Sequence, residues 1–215
     1  MPKVLFHIAI FIGFILFFLT VYFTFNESHK IKSIKPYIWL IFFGSIEEIS
    51  YYYFFRDIPT AYWYRVFNLL DFMALYYYYK TTFDKKYNYL LYVFLTVFLL
   101  FYLFFTINFT LVIADMQESY LSMIITVFVF TLSILWFYEI NKSNLKEPIW
   151  QLPNFYFIAS TLLYYGATIT LFISQGYIAK NLAFDDFWIL WSFNIVFTIV
   201  LRVTFIIGIW KARTI

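Results

Sequence analysis

Four ionisable side chains lie in segments of this sequence that are otherwise aromatic or aliphatic. Glu47 and Glu48 are adjacent in the stretch GSIEEISYYYFF, Asp71 lies in NLLDFMALYYYY, and Arg202 lies in TIVLRVTFII. An isolated charge is strongly disfavoured in an apolar medium. Such groups therefore pair with each other, retain or carry a proton, or bind a cation. Which of these applies depends on the helices that position the four side chains.

The composition places the chain in a membrane. Of its 215 residues, 64% are hydrophobic and 13% are charged, and the mean hydropathy is +0.78. A soluble domain carries about a quarter charged residues. Apolar stretches of about 20 residues, the length that crosses a hydrocarbon core, alternate with short polar segments. We expect an all-α, polytopic membrane protein, with residues 1–215 forming a single seven-transmembrane-helix bundle.

Seven spans follow from the apolar stretches, and proline precedes two of them, where it suits a helix start. The spans cover residues 4–25, 37–55, 62–80, 88–106, 119–139, 154–173 and 187–210. The odd-numbered loops and the C-terminus hold ten lysines and arginines, against four in the N-terminus and the even-numbered loops. The positive-inside rule then predicts an outside N-terminus and a cytoplasmic C-terminus.

With this orientation the four ionisable groups lie at a similar depth. At a rise of about 1.5 Å per residue, each lies roughly 12–15 Å from the inner end of its span. We predict a charged cluster near mid-membrane formed by Glu47, Glu48, Asp71 and Arg202. With three acids and one base, a fully ionised cluster would carry excess negative charge, which a retained proton or a bound cation would neutralise. The competing interpretation is an ion pair with a purely structural role.

Polar residues also recur at helical spacing on the third, sixth and seventh spans. On the third span, Arg65, Asn68 and Asp71 recur every three residues and share one face. The polar residues of these spans predict an outer polar pocket between the third, fifth, sixth and seventh helices. Its lining residues are Asn68, Thr161, Tyr165, Thr168, Trp191, Asn194 and Thr198.

Several kinds of chemistry are excluded by residue type. The chain has no cysteine, so disulfides and thiolate sites cannot form, and His7 and His29 are too far apart along the membrane normal to share a metal. A retinal Schiff base needs a lysine inside the bundle, and the lysines lie in loops or at span ends. No known catalytic motif is found in the sequence. We therefore predict no catalytic residue, cofactor or metal. The net charge of +3 is explained by basic residues in the membrane-flanking loops and does not indicate binding to nucleic acid.

The third, sixth and seventh spans carry a resemblance. The segments LPNFYFIASTLLYYGATITLFI and WSFNIVFTIVLRVTFIIGIWKA, together with YRVFNLLDFMALYYYYK, are similar to small, uncharacterised seven-helix bacterial integral membrane proteins. The positions that carry the similarity are Pro153, Phe155, Tyr164 or Tyr165, Gly166, Trp191, Asn194, Gly208, Trp210 and the pair Asp71-Phe72. The resemblance implies seven helices in a bacterial cytoplasmic (inner) membrane and a link to signalling.

Three functional hypotheses remain open. The first is a non-enzymatic sensory or signal-relay membrane module, acting through a cytoplasmic or membrane signalling protein. The second is a small proton-coupled or lipid-handling transporter, which would use the same carboxylates as proton carriers. The third is a structural subunit of a membrane complex. The lipid bilayer is a partner in all three, and the sequence sets no oligomeric state.

Overall fold

The computed structural model describes residues 2–26, 35, 44, 46, 60–83, 85–111, 113–143, 148–181 and 184–213. These residues form six long helices and one short 3₁₀ turn, with no strand among them. The helices are α1 (Pro2–Asn26), α2 (Thr60–Thr82), α3 (Asn88–Ile107), α4 (Ala114–Lys142), α5 (Pro153–Asn181) and α6 (Phe184–Arg213). The all-α prediction is confirmed for this part of the chain.

Each helix overlaps one predicted span. Helix α1 corresponds to the first span, and α2 to α6 correspond to the third to the seventh. Of the second span, 37–55, the structure describes Gly44 and Ile46, and its remaining residues lie outside the described part. Helix α5 extends to Asn181, eight residues past the predicted end at 173.

Three of the described helices are long and apolar enough to cross a membrane. They comprise Asn88–Ile107 in α3, Met116–Lys142 in α4 and Ser192–Ala212 in α6. Helix α2 is more polar, because it carries Arg65, Asp71 and Lys80 within its 23 residues. The number of spans and their orientation stay predictions.

Aromatic side chains form the core between α2, α3 and α4. The rings of Phe72 on α2 and Phe98 on α3 are stacked, with centroids 3.9 Å apart and planes at 8°. Phe128 on α4 lies 5.1 Å from Phe72, which closes the three-helix contact. Helix α3 is peripheral: its buried residues Leu91, Phe98 and Phe105 form one narrow stripe at seven-residue spacing.

Helices α5 and α6 approach each other closely at Gly208. A Cβ at this position would lie 2.9 Å from two ring atoms of Phe157 and 3.2 Å from the Cβ of Tyr156. Phe157 is itself fully buried and packs its ring against Phe205 at 5.6 Å. The absence of a side chain at Gly208 therefore sets the distance between the two helices, as small residues do in membrane bundles.

We predict that Gly208→Leu lowers the free energy of unfolding by about 1–3 kcal/mol, the usual cost of overpacking. The reason is that the ring of Phe157, which is fully buried and packed against Phe205, would have to shift. Unfolding by sodium dodecyl sulfate, followed by circular dichroism, measures the change. Val203→Leu, at an exposed position of the same helix, is the control. Equal stability of the two variants would contradict the close approach.

Candidate functional site

One face of α2 carries a continuous row of buried polar side chains. We call this row the α2 polar stripe; its members are Arg65, Asn68, Asp71, Tyr78 and Tyr79. Their spacing keeps them on one side of the helix, since residues three, four and seven apart share a face. Each of the five side chains makes a hydrogen bond to another helix. Helix α2 is therefore the polar centre of the described bundle.

The stripe begins at an ion pair that is almost completely enclosed. The Nε atom of Arg65 lies 2.5 Å from a carboxylate oxygen of Glu118 on α4, and both side chains are less than 10% exposed. The second carboxylate oxygen of Glu118 accepts a hydrogen bond from the Asn68 amide at 2.8 Å. Arg65 also donates to the side-chain carbonyl of Gln117 at 2.9 Å. Ser122, one turn further along α4, donates to the Asn68 carbonyl oxygen at 3.4 Å. We call these five residues the Arg65 network.

The Arg65 network also holds the connection between α3 and α4. The Gln117 amide donates to the backbone carbonyl of Asn108 at 3.0 Å. The guanidinium of Arg65 lies 4.8 Å from the centre of the Phe109 ring, within cation–π distance. Both contacts reach into residues 108–111, which follow α3. A rearrangement of the ion pair would therefore move this connection.

Asp71 links the stripe to α5. Its carboxylate accepts a hydrogen bond from the hydroxyl of Tyr165, and both side chains are buried. The preceding residue, Tyr164, donates to the side-chain carbonyl of Asn194 on α6 at 3.1 Å. Two adjacent tyrosines thus connect α5 to the helices on either side of it.

The stripe ends at two buried tyrosines. The hydroxyls of Tyr79 and Ser133 on α4 lie 2.7 Å apart, with either able to donate. Tyr78 donates to the side-chain carbonyl of Asn154, in the first turn of α5, at 3.3 Å. Polar contacts between α2 and its neighbours therefore extend from the first turns of α2 to its last.

A second ion pair lies beyond this end, on the surface. Lys86, in the turn between α2 and α3, lies 2.5 Å from a carboxylate oxygen of Glu139 on α4. The hydroxyl of Tyr87 donates to the other oxygen at 2.7 Å. The hydrogen bond to Glu139 raises the pKa of the Lys86 ammonium above its ordinary value of 10.5. Because this pair is exposed to solvent, it contributes less to stability than the enclosed pair at Arg65.

The predicted charged cluster is only partly within the described residues. Glu47 and Glu48 lie outside them. Asp71 and Arg202 are both buried, and they contact different groups. Asp71 accepts from Tyr165, whereas Arg202 donates to the backbone carbonyl of Ala9 on α1 at 2.9 Å. The cluster of four therefore stays a prediction.

The residues predicted to line a polar pocket divide into two groups. Asn68, Tyr165 and Asn194 make hydrogen bonds between helices. The hydroxyls of the threonines instead donate to carbonyls one turn earlier in their own helix, which satisfies them locally; these are Thr161, Thr168 and Thr198. The side chain of Trp191 lies outside the described part.

A groove of about 530 Å³ does lie between α4, α5 and α6, but its lining is apolar. The residues around it include Phe137, Leu163, Gly166 and Phe197. None of the predicted polar residues is among those that line it.

The sequence reasoning missed the partner of Arg65. Glu118 falls one residue before the predicted start of the fifth span at 119, whereas α4 already begins at Ala114. A signal was available, since Glu118, Ser122 and Thr126 are spaced by four residues and form a polar stripe on an apolar helix. All three are buried in the structure.

The chemistry of the stripe is that of exchangeable hydrogen bonds. Within the described residues no group of three or more His, Cys, Asp or Glu side chains could hold a metal ion. Arg65 and Glu118 are fully engaged with each other and with amides. Asp71 and Tyr165 can exchange their hydrogen bond for bonds to other groups without any covalent step.

Comparisons with protein-family models, with curated proteins and with solved structures gave no match to this chain. The resemblance to small seven-helix bacterial membrane proteins therefore stays a prediction.

We predict that Glu118→Gln lowers the free energy of unfolding by about 3–5 kcal/mol, because it leaves the guanidinium of Arg65 buried without its counter-charge. The double variant Arg65→Met/Glu118→Leu, which removes both charges, should recover much of this loss. Glu139→Gln, at the exposed pair, should change stability little. Denaturation of the purified protein in bicelles measures all three. A Glu118→Gln variant as stable as the parent would show that the pair is not enclosed.

The raised pKa of Lys86 gives a pH prediction. Its contribution to stability is fully present below the ordinary lysine pKa of 10.5 and is lost as pH rises through the higher folded-state value. Selective ¹³C labelling of lysine should show Lys86 titrating at a lower pH in the Glu139→Gln variant than in the parent protein. An unchanged midpoint in the variant would show that Glu139 is not the cause.

Proposed function

We propose that this chain is a sensory or signal-relay membrane module without catalytic activity. In this proposal it forms seven transmembrane helices in a bacterial cytoplasmic membrane, with its N-terminus outside and its C-terminus in the cytoplasm. The observation that carries the proposal is the α2 polar stripe, which bonds one helix to its neighbours from end to end. The three helices that are long and apolar enough to span a membrane support the membrane location.

A polar stripe differs from an apolar contact in having discrete arrangements. Side chains that pack by dispersion alone tolerate small sliding movements, whereas a hydrogen bond is either made or exchanged for another. Measured hydrogen bonds between transmembrane helices average about 0.6 kcal/mol and reach about 1.7 kcal/mol. The hydrogen bonds of Asp71, Tyr78 and Tyr79 are thus weak enough to exchange, whereas the enclosed pair of Arg65 and Glu118 holds α2 against α4. The joint rearrangement of the weaker bonds is the kind of two-state element that a relay requires.

The two ends of the relay have different characters. Around the Arg65 network, α2 is bonded to the connection between α3 and α4, where an external signal would act. At the other end, Lys86 and Tyr87 bond to Glu139 beside short turns. These turns offer little surface of their own, so the output would depend on a signalling protein that contacts them.

Proton-coupled transport is the second candidate, and one observation favours it. Among the described residues, the buried carboxyl of Asp71 is bonded to a phenol and not to a cation. Such a group can gain or lose a proton with few other changes, and ionisable groups inside a membrane bundle are candidates for proton relays.

We predict that Tyr165→Phe alters the far end of α2, because it removes the hydroxyl that binds Asp71. Since the chain has no cysteine, spin labels at Tyr77→Cys on α2 and Tyr138→Cys on α4 can report the distance between these two helices at that end. Both positions are exposed. Double electron–electron resonance should show a shifted distance distribution in the Tyr165→Phe background.

Tyr120→Phe, which removes an exposed hydroxyl, is the matched control and should leave the distances unchanged. A folded Tyr165→Phe protein with the parent distribution would contradict the relay. Proton flux in liposomes that Asp71→Asn abolishes would instead establish the transport alternative.

A further inference from the structure

Four lysines lie in the segments where α2 ends, α3 begins and α4 ends. They are Lys80, Lys85, Lys86 and Lys142, and we call this part of the molecule the lysine end. Lys85, Lys86 and Lys142 are exposed, and Lys80 is half-buried. Three separate segments contribute to it, and the bond between Lys86 and Glu139 joins two of them at 2.5 Å.

Three of these lysines lie over tyrosine rings. The ammonium of Lys86 is 5.5 Å from the ring centre of Tyr87. The ammonium of Lys142 is 4.3 Å from the ring centre of Tyr138. That of Lys80 is 5.6 Å from the ring centre of Tyr92 and 5.7 Å from that of Tyr76. Cationic groups resting on aromatic rings place the apolar stem against the protein and leave the charge at its edge.

Large aromatic side chains are exposed at this same end. They are Tyr77, Tyr89, Tyr92, Tyr138 and Trp150. Tyrosine and tryptophan favour the level of lipid headgroups, because their rings are apolar and their tips are polar. In the membrane orientation of the proposed function, the lysines of this end would lie at the level of the lipid phosphates.

The lysine end also carries surplus positive charge. Among the acids in these segments, Glu139 is already bonded to Lys86, and Asp84 belongs to the same turn in the sequence but lies outside the described residues. At the opposite end of the same helices, Arg65 is buried and paired with Glu118. A phosphate approaching the bundle is thus attracted to the lysine end.

We propose that Lys80, Lys85 and Lys142, flanked by Tyr92 and Tyr138, bind the phosphate of anionic phospholipid headgroups. This inference rests on the membrane location in the proposed function and goes beyond it by assigning a ligand class. An acidic protein surface would match the charge, but it gives no role to the exposed tyrosines. The aromatic setting therefore favours lipid.

The test is native mass spectrometry of the purified protein titrated with phosphatidylglycerol or phosphatidylcholine. The parent should retain phosphatidylglycerol in preference. The variant Lys80→Gln/Lys85→Gln/Lys142→Gln should bind it about tenfold more weakly or worse, since each lysine near an anionic surface contributes independently. The corresponding triple arginine variant keeps the charge and should retain binding. Lys211→Gln, a lysine on α6, is the control and should also retain it.

Equal retention of the two lipids by the parent, or undiminished phosphatidylglycerol binding by the triple glutamine variant, would overturn the proposal. So would loss of lipid binding in millimolar inorganic phosphate, which would indicate an anion site unrelated to lipid. A triple glutamine variant that keeps its lipid but loses an acidic protein partner would assign the surface to that partner instead. If alkaline carbonate extracts the protein from membranes, the proposed membrane location is wrong. This outcome is distinct from those above, which contradict only the binding of phospholipid at the lysine end.

Discussion

The burial of a guanidinium on α2 constrains the arrangement of the helices around it. A guanidinium carries a positive charge, so the buried charge of Arg65 must be matched wherever the helix packs. Glu118 supplies the counter-charge, and Gln117, Asn68 and Ser122 complete the hydrogen bonds of the pair. Once α2 and α4 are fixed by this network, the rotation of both helices about their axes is also fixed.

The remaining polar groups of α2 then face predetermined neighbours. Asp71 is two turns further along the same face and meets Tyr165 on α5, whereas Tyr79 meets Ser133 on α4. Between them, the stacked rings of Phe72 and Phe98 fill the space towards α3. Hydrogen bonds specify which helices are adjacent, and aromatic side chains pack in the contacts between these helices.

The ion pair at Arg65 on α2 and the one at Lys86 in the following turn differ in their exposure to solvent, and this difference determines what each pair can do. The pair at Arg65 is enclosed and tied to amides, so breaking it leaves a buried charge. The pair at Lys86 is exposed, and the lysines around it lie beside tyrosines at the protein surface. The first is suited to holding helices in one arrangement, and the second to contact with groups outside the protein.

The sequence by itself determined the helical class, the approximate position of six helices and the shared face of Arg65, Asn68 and Asp71. These features depend on the local periodicity of polar and apolar residues and on the length of the apolar stretches, both of which can be read from one amino-acid sequence. Helix ends were less well determined, because a helical backbone continues past the point where hydropathy falls, as α5 does to Asn181.

Only the tertiary structure decided which side chain meets which. Glu118 lies 53 residues from Arg65 in the sequence, and Tyr165 lies 94 residues from Asp71. Several acids and tyrosines of this chain have suitable chemistry for either contact. The choice among them depends on the adjacency and rotation of whole helices, which arise from the packing of the bundle rather than from any local pattern.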